Sequence, residues 1–189
     1  MAVILILLVL AGGYYYYLSH RNTPQEEAFK EAKETKVEKM INRDLEKDYP
    51  PSPREVVKLY SDILECYYGE SYTEDELHLL AGKARQLLDQ ELLDNNEETE
   101  FLKALKDEIA EYKEAKRKIF ASYVCSPDEV EYYNYEDEKW AKVKAVYSMR
   151  AEDTFFKTYE EYALRQDADG RYKIFGWQLA ETDDTQYEE

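Results

Sequence analysis

The chain has 189 residues, with 25 Lys and Arg against 42 Asp and Glu and a formal charge of −17. That balance excludes an electrostatic nucleic-acid binder and a basic patch for anionic lipid headgroups, because no excess of cations exists to meet phosphate. Two His and two Cys supply neither a metal cluster nor a disulfide framework, while 44% hydrophobic residues suffice for one domain with an appendage.

Residues 2–18 carry no charge and open with the run AVILILLVLAGG. As a helix they span about 25 Å, close to the hydrocarbon thickness of a bilayer. Tyr14, Tyr15, Tyr16 and Tyr17 follow at the apolar-to-polar boundary, where tyrosine rings sit among headgroups with their hydroxyls hydrated. Residues 1–21 are therefore expected to anchor the protein in the cell membrane as a single-pass helix, with the lipid bilayer as partner. Lipidation is excluded, since Gly13 stands where a lipoprotein needs Cys. A cleavable signal peptide would find its small residues at Ala11 and Gly13 but lacks a basic start, so an uncleaved anchor fits better. Orientation has two readings, because lysines ahead of the anchor, were the true start further upstream, would reverse the one drawn from the flank that follows it. Arg21, Lys30, Lys33 and Lys36 after the anchor point the following domain into the cytoplasm under the positive-inside rule.

Thr23-Pro24-Gln25-Glu26 is a helix-start signature, and residues 22–51 read as a charged juxtamembrane helix and linker, broken at Tyr49-Pro50-Pro51-Ser52-Pro53. Ser52-Pro53-Arg54-Glu55 opens a second helix, with Val56, Tyr60, Ile63 and Tyr67 on one face and Gly69 at its end. Thr73-Glu74-Asp75-Glu76 opens a third, whose stripe is Leu77, Leu80, Ala81, Ala84, Leu87 and Leu88. A fourth carries Leu102, Leu105, Ile109 and Tyr112. After Lys118 the period changes to two. A strand is predicted within 120–135, interrupted at Ser126-Pro127. Ala141, Val143, Ala145, Tyr147 and Met149 form one apolar strand face, and 155–166 and 171–180 follow, joined by Asp169-Gly170 as a hairpin. Helices first and an antiparallel sheet afterwards make an α+β domain over 52–181. The acidic residues 182–189 are expected to be a disordered tail.

Two resemblances attach to these segments. Asp169-Gly170-Arg171-Tyr172-Lys173-Ile174-Phe175-Gly176-Trp177 resembles the last hairpin of the nuclear transport factor 2-like (cystatin-like cone) superfamily, with Tyr172 where Trp is usual. That likeness implies helices over a bent antiparallel sheet. Nearly the whole chain is similar to an uncharacterised bacterial family of single-pass membrane proteins of unknown function. The likeness rests on residues 49–57, on Glu91-Leu92-Leu93-Asp94-Asn95-Asn96 and on Tyr159-Glu160-Glu161-Tyr162. It implies an anchored domain outside the cytoplasm and no stated activity.

No nucleotide-phosphate loop, serine-nucleophile motif or metal-ligand spacing occurs, so no catalytic, cofactor-binding or metal-binding residue is assigned and no cofactor is expected. His20 and His78 stand alone. Asp167, Asp169 and Gly170 read as a turn rather than a calcium loop, and the acids from Glu129 to Glu138 as a solvated face. Cys66 and Cys125 are a candidate disulfide if the domain is exported, and otherwise two buried thiols. Nineteen tyrosines either pack amphipathically or line a pocket or interface. Tyr60, Glu65, Tyr67 and Tyr112 are the candidates for the latter.

The expected function is a non-enzymatic, membrane-anchored extracytoplasmic domain that binds an unidentified protein or small-molecule partner, with homodimerisation open through the free sheet face. One alternative is a cone-fold enzyme acting on a small apolar ligand, with Glu65 beside Tyr60 or Tyr112. Another is a structural or oligomerisation spacer. A closed apolar pocket holding a poorly solvated acid would favour the enzyme, and a shallow aromatic surface the binding module.

Overall fold

The computed structural model describes residues 34–180. The expected anchor, its tyrosine belt, residues 22–33 of the juxtamembrane stretch and the acidic tail lie outside these residues. Among the described residues no helix is long and apolar enough to cross a membrane.

The packed unit starts at Lys36, well before the boundary expected at 52. Helix α1 (Lys36–Asn42) buries Val37, and Leu45 beyond it is equally enclosed. The Tyr49 hydroxyl donates to the Tyr172 carbonyl at 2.8 Å, and the Lys173 ammonium lies over the Tyr49 ring. Residues 36–51 of the stretch read as a linker thus pack with the domain, through Val37 and Leu45 in the core and Met40, Ile41 and Tyr49 against it.

Helix α2 (Pro53–Gly69) begins where expected. Ser52 accepts from the Glu55 amide at 3.2 Å, and proline sits in the first turn, where its missing N–H costs nothing. Helix α3 (Glu74–Arg85) has a complete capping box between Thr73 and Glu76. Short α4 (Gln90–Asp94) and long α5 (Glu98–Glu114) follow. Gly69 is the last residue of α2, and its requirement is spatial. A Cβ there would stand 2.5 Å from the Ile119 carbonyl oxygen, so only glycine lets the helix end lie against the first strand.

Strands β1 (Arg117–Val124), β2 (Glu131–Tyr135), β3 (Glu138–Ala151), β4 (Thr154–Gln166) and β5 (Tyr172–Leu179) form one antiparallel sheet in the order β1-β3-β4-β5. β2 and β1 share one edge of β3, β2 pairing its first half and β1 its second, with the turn Pro127–Glu129 between them. Residues 87–89 close on β5. The Asp89 amide donates to the Ile174 carbonyl and the Ile174 amide to the Leu87 carbonyl, both at 2.8 Å. Gly170 at φ 80° makes the β4–β5 turn, and Asp167 accepts there from the Asp169 and Arg171 amides. The result is the α+β arrangement expected.

Period two decides what faces the helices. Ala141, Val143, Ala145, Tyr147 and Met149 of β3 are all buried, and opposite them β4 turns inward Leu164, Tyr162, Glu160, Thr158 and Phe156. The other face carries Tyr123, Val146 and Tyr159 in one cross-strand row, with the exposed rings of Phe120 and Phe155 edge to face at 5.9 Å.

Candidate functional site

A cavity of about 290 Å³ lies between α2, α5 and the inner face of the sheet. Helical spacing explains its α2 wall, since Tyr60, Leu64, Tyr67 and Tyr68 stand at i, i+4, i+7 and i+8. Helix α5 adds Phe101, Leu105, Glu108 and Tyr112, and the sheet adds Tyr147, Met149, Glu160 and Trp177. Tyr60 packs on Trp177 with ring centroids 5.9 Å apart, and Tyr68 on Tyr112 at 4.3 Å. A neighbouring cleft of about 770 Å³ shares Tyr67, Tyr68 and Tyr112 but has a charged rim. Much of that charge is spent internally, with Lys116 on Glu152 at 3.0 Å and Arg117 stacked over Tyr112.

Glu160 reaches the cavity at the end of a chain of buried hydroxyls. Tyr162 donates to Glu160 Oε2 at 2.6 Å, Tyr147 and Tyr162 are 2.7 Å apart, and Ser61 and Tyr147 2.9 Å apart. Because the Tyr162 proton goes to the carboxylate, Tyr147 donates to Tyr162, and Ser61 then donates to Tyr147. Three aligned O–H dipoles therefore point at one half-buried carboxylate. Burial nevertheless raises the Glu160 carboxyl above its usual range, opposed by the Tyr162 hydrogen bond and reinforced by the nearby Glu108. Burial also raises the phenols of Tyr60, Tyr67, Tyr68, Tyr147 and Tyr162, so they stay neutral donors across the physiological range.

Residues 1–177 match the family described as a domain of unknown function (DUF6715). The chain belongs to that family. No curated protein matches it. In this DUF6715 chain, three of the four residues singled out as pocket candidates come together, namely Tyr60, Tyr67 and Tyr112. Glu65 does not join them. It is one helical step of about 100° beyond Leu64, and its carboxylate is bound by the Ser122 hydroxyl and the Lys36 ammonium instead. Glu160, Glu108, Tyr68 and Trp177 were not among the candidates. The signal for Glu160 was its parity with Phe156, Tyr162 and Leu164.

The candidate disulfide is not formed, and both cysteines are buried free thiols. Helix α2 runs antiparallel to β1, with Gly69 against Ile119, Glu65 on Ser122 and Arg54 Nε on the Cys125 carbonyl at 2.8 Å. Cys66 lies twelve residues, about 18 Å, along the helix from Arg54, beyond the roughly 7 Å that a bridge allows between Cα atoms. His78 is surface-exposed beside Lys106 and Glu74. Among the described residues no three His, Cys, Asp or Glu side chains are grouped to hold a metal ion.

Proposed function

We propose that this DUF6715 chain is a non-enzymatic, membrane-anchored domain held outside the cytoplasm, and that its helix–sheet cavity binds a small ligand. The anchor reading rests on the uncharged run of residues 2–18 and the four tyrosines that follow. In this reading the helices and bulged sheet are a cone of the nuclear transport factor 2-like type. The single observation that carries ligand binding is the ring-walled cavity with a hydrogen-bonded, half-buried carboxylate in its wall, the expected form of a small-molecule site.

Fluorine-NMR fragment screening of the full chain tests the site. Apolar fragments are expected to bind, and Leu105→Trp, which fills the cavity, should abolish their binding. Hits that survive that substitution, or none at all, would refute it. Placement is tested with Asp153→Cys on the exposed β3–β4 turn, labelled by an impermeant maleimide in intact and lysed cells. Labelling before lysis is expected, and labelling only afterwards contradicts it.

The elevated Glu160 carboxyl favours one second reading, general-base catalysis on the same ligand. Trp177 and Glu108 in the cavity wall are exposed, so the cavity is not the closed apolar pocket expected of the enzyme, and its rings suit binding first. Under the enzymatic reading Glu160→Gln would keep ligand and lose turnover of it.

A further inference from the structure

The cavity is anionic as well as aromatic. Glu108 and Glu160 both line it, no Lys or Arg does, and neither carboxylate has an ion-pair partner among the described residues. The half-buried Glu160 and the exposed Glu108 thus place two acids without an ion-pair partner over a wall of tyrosines, which makes the local potential negative. The electron-rich rings of Tyr60, Tyr68 and Trp177 add to it, since aromatic faces attract cations within about 6 Å. One polar group of the wall is unspent. Tyr67, only 3% exposed and part of the cavity wall, has a buried hydroxyl with no hydrogen-bond partner, an arrangement that costs free energy unless something fills it.

From these features we infer that the cavity binds a small organic ammonium ion, a protonated primary or secondary amine carried on an apolar group. The inference rests on the ligand-binding reading above and names its ligand class. Tyr162 occupies Oε2 of Glu160, which leaves Oε1 to accept an ammonium N–H. The Glu108 carboxylate and the Tyr67 hydroxyl are further acceptors, so an N–H-bearing cation is favoured over a quaternary one, which could use only the rings. Leu64, Phe101, Leu105 and Met149 give the apolar part its contact surface. An anionic ligand would meet uncompensated repulsion, and a neutral one would leave both charges unpaired.

Isothermal titration calorimetry on the full chain in detergent, near pH 7, compares benzylamine with benzyl alcohol, which has nearly the same shape without the charge. Benzylamine should bind at least about tenfold more tightly, a difference of about 1.4 kcal/mol. Glu160→Gln, which preserves an acceptor for Tyr162, should remove most of that preference while benzyl alcohol binds as before. Glu108→Gln, on the exposed side of α5, should weaken benzylamine without touching the fold. Equal affinity for the two probes, or a preference untouched by both substitutions, overturns the ammonium inference and leaves the ligand pocket standing. Failure of both probes to bind overturns the pocket reading and the inference with it.

Discussion

Glu160 and Glu161 adjoin in the chain, yet the two-residue period of β4 turns the first into the cavity and the second to the outer face, where it meets the Lys142 ammonium at 3.2 Å. The inner carboxylate depends on Tyr162. Tyr162→Phe removes its donor and leaves the Tyr147 hydroxyl without an acceptor, so urea unfolding at pH 7 should show a loss of about 1–3 kcal/mol. The groups facing Glu160 are Glu108 from α5, Tyr60 from α2, Tyr147 from β3 and its strand neighbour Tyr162, none of them a cation. Its folded-state carboxyl therefore titrates above the ordinary 4.5. For an acid shifted upward, the contribution to stability is complete below the unfolded value and is lost as pH rises through the folded one. Glu160→Gln, always neutral, should thus equal the wild type in stability at about pH 4 relative to a common reference and gain on it toward neutral pH. Melting curves across that window check the sign.

At the scale of elements, two residues join what sequence separates. Gly69→Ala would drive a methyl group into the Ile119 carbonyl, forcing the α2 end off β1, and should cost about 1–3 kcal/mol in a denaturant titration. Asp89 caps α4 through the Glu91 amide and holds Arg165 of β4 by two bonds, Nη2 at 2.6 Å and Nε at 3.1 Å, while only 4% exposed. Asp89→Ala should therefore cost about 3 kcal/mol, more than a cap alone, measured in the same way. The Ser52 cap before α2, the capping box before α3, the alternation of β3 and the Asp169-Gly170 turn were legible because each is a local pattern that the backbone itself enforces. Tyr60, Tyr67 and Tyr112 were legible as candidates because helical spacing put them on apolar faces. Glu65 was misread for the complementary reason. Nothing local says that Lys36, from a stretch taken for a stalk, and Ser122 of β1 would claim its carboxylate. Glu160 was passed over although its parity with Phe156, Tyr162 and Leu164 marked it, because Phe155 and Tyr159 offer the opposite parity and only the pairing of β4 with β3 decides between the two adjacent acids.

For the whole molecule, the described part is one helix-covered sheet whose core closes without a crosslink. Cys66 is fully enclosed, and burial pushes its thiol up to about 12, so it is neither nucleophilic nor bridged. Mass spectrometry after iodoacetamide treatment should find Cys66 unmodified in the native chain and both cysteines modified in guanidinium, whether or not reductant is present. Alkylation that requires reductant would restore the bridge. The account as a whole stands on Glu160 as the carboxylate that meets the ligand. The direct measurement is a pH titration of the Glu160 side-chain carboxyl by carbon-13 NMR in the full chain, with and without benzylamine. The account predicts a midpoint above 4.5 in the free protein that falls when benzylamine is added, because a bound cation favours the ionised form. A midpoint at the ordinary value, or one that benzylamine leaves in place, would contradict it.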